Sequence, residues 1–440
     1  MNGIKIQLIK QLRSFLETAV SKRDKYFSKE TDFSRSGKLG FAQTAVCCLF
    51  LLKKSLSLEI DEFYEILGKE SETCTKSAFS QARYKINPVF FKEWQEAMSA
   101  SYLSLRAQAD SLENWHGLQV HALDGTAAYL FKKGDIAKTF GYQTNQHGVK
   151  IPMARIVVRY DVLHKVAISG LIEAYAKPEK VIAYELLEAA NSSTISLYDR
   201  NFHSFAFMYA HQHRDLPFVM RGRCREKWLK DFIKTGLNTQ IVTINAKDTD
   251  IEQAKKNFGF DLPKQASLKL RLIRVELANG EIEVLITNLL NEIDYPSQDF
   301  KALYALRWRE ETFFDVLKNK LQLEIFSGHC AQAIRQEFFA LLLMASLQAV
   351  LVPNQEDLKP INDRRTYNYA INQAFSLGIL KKLIPLLVLS SNFEPIIAKF
   401  ERKCSNKLEP IRPNRNFQRT KFKQRLNGKF KTFSNFKRAV

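Results

Sequence analysis

The sequence has little that would tie it to a secreted, membrane-spanning or nucleotide-binding class. Its 440 residues hold six cysteines, with no CxxC pair and no disulfide-like spacing, and Cys47 and Cys48 lie inside an apolar stretch. A disulfide framework is excluded, and six reduced thiols of a cytoplasmic protein are expected. The opening run MNGIKIQLIKQLRSFLE has no apolar core of signal-peptide length. The longest apolar runs, 45–52 and 338–352, are too short to span a bilayer and predict buried helices, so no membrane partner is expected. Gly37-x2-Gly40 lacks the spacing of a phosphate-binding loop, so no nucleotide cofactor is implied. There is no internal repeat. Acids are scarce: 46 Asp+Glu face 66 Lys+Arg, giving a net charge of +20. That excess suits a polyanionic partner, most simply nucleic acid.

What is present fits a globular protein of two to four domains, with 45% hydrophobic and 12% aromatic residues. The charge is uneven. From Arg402 to Val440 there are 13 Lys/Arg against one acid, Glu409, interleaved with Phe417, Phe422, Phe430, Phe433 and Phe436. Such a tail suits a nucleic-acid-contacting arm; a solubilising tail is the plainer alternative. Residues 1–117 read as helical. Ile4–Val20 carries an apolar stripe, 39–52 a buried helix, and 58–67 an amphipathic helix stopped by Gly68. Ser71, Thr73 and Thr75 offer N-caps for a helix near 76–86. Its Ser77, Ser80, Gln81, Arg83, Tyr84 and Lys85 are side chains suited to phosphates or base edges. Two helices about a Gly-containing turn fit a helix-turn-helix DNA binder, or equally a plain bundle. Asn87-Pro88 ends that helix, and 90–109 forms another.

After about His116 the pattern becomes α/β. Residues 118–123 read as a strand running into Asp124-Gly125-Thr126, and 154–160 and 166–173 as a hairpin. A helix follows at 179–190, then a strand at 194–198 ending at Asp199-Arg200, a helix at 202–211 and a short strand at 216–221. Residues 224–290 read as β-rich, with Asn279-Gly280 as a hairpin turn. A long apolar helix at 332–352 closes the core.

Between these lies YALRWREETFFDVLKNKL, read as one helix over 304–321. Tyr304, Arg307, Glu311 and Lys318 fall within roughly 60° of one another on its surface, while Glu310 points well away. The bland reading is a surface helix with pairs such as Arg307–Glu311. The chemical reading places Asp124 and Asp199 at strand ends on one rim, with Glu311 between them. Three carboxylates that close repel unless cations neutralise them. Hard oxygen donors suit Mg2+, with Mn2+ as the alternative, and a pair of such ions serves phosphodiester displacement. Arg307 and Lys318 would then meet DNA phosphates, and Tyr304 would bond a phosphate or stack.

ALDGT at 122–126, LYDRNF at 197–202 and the spacing Y-x2-R-x3-E-x6-K at 304–318 resemble the DDE transposases of bacterial insertion sequences, most closely insertion sequence family four. The resemblance covers about 118–350. It implies a ribonuclease-H-like core, a mixed sheet flanked by helices, with Asp124, Asp199 and Glu311 as the catalytic metal-binding triad. It also implies DNA contacts from Tyr304, Arg307, Lys318 and, beside the second Asp, Arg200. The implied division is an N-terminal helical DNA-binding region (1–117), a core in two parts (118–223 and 291–352), a β-rich insertion (224–290) and a helical region with the basic tail (353–440). The implied activity is cut-and-paste transposition, with a dimer in the complex with DNA. A related metal-dependent nuclease and a silent DNA-binding relic are the alternatives. Some relatives carry a base-capturing tryptophan in the insertion; here the comparable stretch, 281–287, has none, and Trp228 and Trp308 lie elsewhere. His211-x-His213 has no third ligand and reads as loop or surface histidines. His121 reads as a strand side chain.

Overall fold

The computed structural model describes residues 2–35, 39–50, 53–145, 148–277, 279–353, 358 and 367–412. The tail phenylalanines from Phe417 onward, Gly37 and the end of the expected 39–52 helix lie outside the described residues.

The core is one nine-stranded sheet. Its strands are β1 (Gln119–Tyr129), β2 (Tyr142–Thr144), β3 (Lys150–Asp161), β4 (Val166–Ala174), β5 (Thr194–Tyr198), β6 (Phe218–Arg221), β7 (Thr239–Asn245), β8 (Ser267–Glu276) and β9 (Ile282–Thr287). They lie in the order β2-β3-β1-β5-β6-β9-β8-β7, with β4 also on β3. β3 runs antiparallel to both β1 and β4, while β5 is parallel to β1 and β6 to β5. This five-strand arrangement is the mixed sheet of the ribonuclease-H-like fold. The hairpins need only short turns, and the parallel steps cross over through helices Glu179–Glu185 and Phe205–His213.

The period-two alternation of a strand divides the side chains between two cores. Val120 and Ala122 join a core with Pro88–Gln108, Ala331–Leu351 and the helices Gln373–Leu389 and Glu394–Ser405. Leu123 and Val157 face the opposite core, with Ile182, Phe205 and Phe232. Ala331–Leu351 is long and apolar enough to cross a bilayer by length and composition alone, so the shorter run read from the sequence understated it; 89% of its most apolar window is buried inside the fold.

Four expectations are corrected. The first strand does not end at Asp124 but continues to Tyr129. The 304–321 helix is not continuous: Asp299–Ala305 and Trp308–Asp315 meet at a tight turn in which Leu306 N–H donates to Leu303 O and Arg307 N–H to Tyr304 O, and a wide turn follows over Val316–Lys320. The 224–290 segment contains helices Lys227–Thr235 and Asp248–Gln253 besides its strands, and those strands extend the main sheet through the β6–β9 pairing. Arg83 is not on an open face. It is buried against Ala331–Leu351, where it bonds Gln336, Ser327, Glu337 and the Ala333 carbonyl.

Candidate active site

β1 outruns its parallel neighbour. The β1–β5 register closes at Leu123↔Tyr198, so Asp124 and Asp199 are the first residues beyond it. Asp124 stays in β1, held by pairing with Val158 of β3. Asp199 leaves the sheet and caps a short turn, accepting the Asn201 N–H at 2.7 Å. Parity puts Asp124 on the face that carries Val120 and Ala122, and the signature segment packs there, with Phe313 stacked on Tyr160 at 4.4 Å.

Arg307 is the centre of the arrangement. Its Nη2 lies 3.0 Å from Glu311 Oε1 and its Nη1 3.7 Å from Asp124 Oδ2. One planar guanidinium thus joins the first and third acids of the expected triad, a task suited to its fixed fork of donors. Burial works against the Arg307 charge, but Tyr304, Glu311 and Asp124 around it hold its pKa above the usual arginine value. Burial also pushes the Asp124 carboxyl up to about 6, with Asp199 and Glu179 adding to the rise and the Gly125 amide and Arg307 opposing it.

The other predicted residues have internal partners. Tyr304, buried, donates its hydroxyl to the Tyr198 carbonyl at 3.1 Å, and burial pushes its pKa up. Lys318 donates to the Ala127 carbonyl at 2.9 Å, and burial lowers its pKa. Arg200 is exposed beside Asp199, with Arg223 Nε on its carbonyl.

Two carboxyls at the site were not among the site residues expected from the sequence. Glu179, at the start of its helix, is paired with Arg155 at 2.7 Å and lies across Gly125; a Cβ at Gly125 would stand 2.5 Å from Glu179 Cδ. Glu310 does point away from the Glu311 face, but it points into the sheet. It is fully buried and accepts the Asp124 N–H at 3.0 Å. Burial, with Asp124 adding to it, pushes its pKa well up. Nothing in helical periodicity distinguishes a carboxylate aimed at a strand end from one aimed at water.

Among the described residues, no three His, Cys, Asp or Glu side chains are gathered closely enough to hold an ion in this arrangement, where Arg307 bridges two of the acids. The donors nonetheless fit a hard divalent cation in kind: carboxylate oxygens only, crowded enough to raise Asp124. Among the described residues the histidines offer no rival centre. His211 is not at the surface as expected but buried, 3.0 Å from the Tyr198 hydroxyl. His121 is a buried strand residue whose Nδ1 accepts from Arg159 at 2.9 Å.

A family profile described as "Transposase DDE domain" matches residues 115–347, more than half of the chain. The chain belongs to the transposase DDE domain family. "Putative transposase InsZ" of Escherichia coli (strain K12) is similar to it, 26% identical over 159 residues, which is 35% of this chain and 48% of that protein. "Transposase InsG for insertion sequence element IS4", from the same strain, is 20% identical over 241 residues, 53% of this chain and 52% of that protein. The chain spans about half the length of the curated relatives it matches. The cryo-EM structure of the piggyBac transposase synaptic complex with hairpin DNA aligns over 91% of this chain and 80% of its own, with TM-score 0.40 and 11% identity, a likeness too weak to weigh on the site. The transposase DDE domain match covers Asp124, Asp199 and the whole 304–318 signature. It begins at Trp115, three residues before the strand expected at 118, and so leaves the N-terminal helices outside it.

Proposed function

We propose that this protein is an insertion-sequence transposase that cuts DNA at the ends of an element and joins the freed ends to a target, in the cytoplasm. The observation that carries the reading is the convergence of the signature on the strand end: Arg307 lies within ion-pair distance of both Asp124 and Glu311, and Asp124 and Asp199 are the first residues past the last β1–β5 pair. Asp124, Asp199 and Glu311 would hold divalent ions, Mg2+ first and Mn2+ as a substitute, which supply charge stabilisation at a phosphodiester and activate its attacking oxygen. The chain's own part is to present three carboxylates at one rim and to offer cations to the phosphates. Arg200, Tyr304, Arg307 and Lys318 form the DNA-contacting set. Arg307 is the natural one to exchange partners, because a phosphate presents the same bidentate acceptor geometry as the carboxylates it now holds. In the cut, a water oxygen bonds to phosphorus, the 3′-oxygen leaves with the electron pair, and the water proton passes to solvent. That 3′-oxygen takes up a proton, and the resulting 3′-hydroxyl then bonds to the phosphorus of a second phosphodiester, whose own 3′-oxygen leaves with the electron pair and takes up the proton that the hydroxyl releases. Two ends must be brought together, so a dimer on DNA is part of the proposal.

The test is cleavage and joining, with added Mg2+, of duplexes carrying the sequence that flanks the coding frame. Wild type is expected to cut and join. Glu311→Gln is near-isosteric and removes one ligand charge; it is expected to bind the duplex equally and lose at least about 10²-fold in rate, the scale of losing one group that stabilises the transition state. Equal cutting by both proteins would remove Glu311 from the site. Cutting without joining would make the protein a nuclease.

A further inference from the structure

Glu310 carries an inference beyond the triad. Past Leu123↔Tyr198 the β1 edge has no β5 strand to pair with, and Asp124, whose amide lies on the β3 side, is the first residue beyond that pair. The Glu310 carboxyl takes this amide through Oε1 at 3.0 Å. Glu310 is wholly buried, and its Oε2 has no hydrogen-bond partner among the described residues. A buried carboxyl with an unsatisfied oxygen costs stability, and an apolar side chain of the same volume would avoid that cost. Its place is therefore better explained by what it holds than by what it stabilises. It holds the backbone of one acid while being chain neighbour to another. Glu310 N–H also closes the turn onto the Arg307 carbonyl at 3.0 Å, so the residue ties Asp124, Glu311 and Arg307 into one frame.

We propose that Glu310 is a positioning residue: by accepting the Asp124 amide it sets the separation between the Asp124 and Glu311 carboxylates, and so tunes the site for its divalent ion. This rests on the reading of Asp124 and Glu311 as metal ligands. A group that orients a ligand from behind in this way is worth about 10–100-fold in metal affinity.

Three variants separate the acceptor from charge and volume. Glu310→Gln keeps an oxygen within reach of the amide. Glu310→Met fills the space without an acceptor. Glu310→Asp keeps the carboxyl but falls one methylene short. Each full-length protein is compared with wild type by thermal unfolding, by Mn2+ titration followed by electron paramagnetic resonance, by deuterium uptake of the peptide covering 122–127, and by duplex binding without metal. Glu310→Met and Glu310→Asp are expected to weaken Mn2+ binding about tenfold, to speed exchange at 122–127 and to leave duplex binding unchanged. Glu310→Gln is expected to stay within about twofold of wild type, because its amide oxygen still accepts the Asp124 N–H. If Glu310→Met does not fold, the order of Glu310→Gln against Glu310→Asp decides: Gln below Asp overturns the inference, and Asp below Gln upholds it. Wild-type Mn2+ affinity in Glu310→Met also overturns it. A wild-type protein that binds no Mn2+ at all would instead sink the metal reading, and this inference with it.

Discussion

At the scale of single residues, the site is defined by close approaches that leave little freedom of substitution. Gly125 follows the first acid, and its φ is not in the left-handed region; it must be glycine because Glu179 lies where a Cβ would go. Glu179 cannot easily swing aside, since Arg155 holds it at 2.7 Å and Arg155 in turn bonds the Tyr175 carbonyl. Gly125→Ala should therefore cost about 1–3 kcal/mol by overpacking. The same substitution in a Glu179→Ala background should cost far less, because the obstructing atoms are gone. Urea unfolding of the four proteins of this cycle measures the difference. Equal costs in both backgrounds would mean that Glu179 is not the obstruction. Arg307 follows the same logic in charge: its place between Asp124 and Glu311 balances two carboxylates that would otherwise repel.

At the scale of elements, helix Lys76–Tyr84 is tied to the core rather than displayed. Thr75 caps it as the sequence predicts, accepting the Ala78 N–H. Its Arg83, one of the side chains expected to reach DNA, is 3% exposed and ion-paired to Glu337 at 3.1 Å. Glu337 in addition accepts the Ser327 and Gly328 amides, which fixes the loop between the signature segment and Ala331–Leu351. Removing one partner strands the other charge in the core. Arg83→Ala should cost about 3–5 kcal/mol, whereas Arg83→Met with Glu337→Met should cost much less. Chemical denaturation distinguishes the two. A small loss in the single variant would mean that Glu337 finds other compensation. Ser77 and Gln81 of this helix, and Lys85 just past its end, remain exposed.

At the scale of the whole molecule, both sheet faces are closed by apolar cores, and the polar groups enclosed there respond to pH together. His211 is fully buried beside Tyr198. Burial pushes its pKa down to about 3 from 6.5. The folded state thus keeps it neutral while the unfolded chain takes up a proton below 6.5, so the stabilising difference is complete above that pH and is lost as pH falls toward 3. Each such group should lower stability by about 1.4 kcal/mol per pH unit within that window. His211→Gln retains a hydrogen-bonding partner for Tyr198 but no titrating ring. Its plot of unfolding free energy against pH should be flatter by that amount between about pH 6 and 4. An unchanged slope would place the proton uptake elsewhere.

The sequence by itself determined the order of elements, because period-two and period-3.6 patterns and their caps are local. Thr194–Tyr198 could be read directly, and the acids with their signature stood out through fixed spacing; Asn87-Pro88, read as a helix end, is also the N-cap and first residue of the next helix. Tertiary structure decided what spacing does not encode. Only the β1–β5 register reveals that Asp124 sits inside a strand at the point where its neighbour ends. The Asp124 amide at that point donates to buried Glu310, although periodicity shows only that Glu310 lies off the Glu311 face. The 304–321 segment breaks at a tight turn and opens again at a wide one as it docks Tyr304 and Lys318 on the backbones of β5 and β1, an adjustment no helical wheel contains. Whether a charged side chain faces water or a buried partner, as with Arg83 and Glu337, depends on a contact between residues 254 positions apart. Local pattern carries no information about such a contact, since it forms only when the two helices meet.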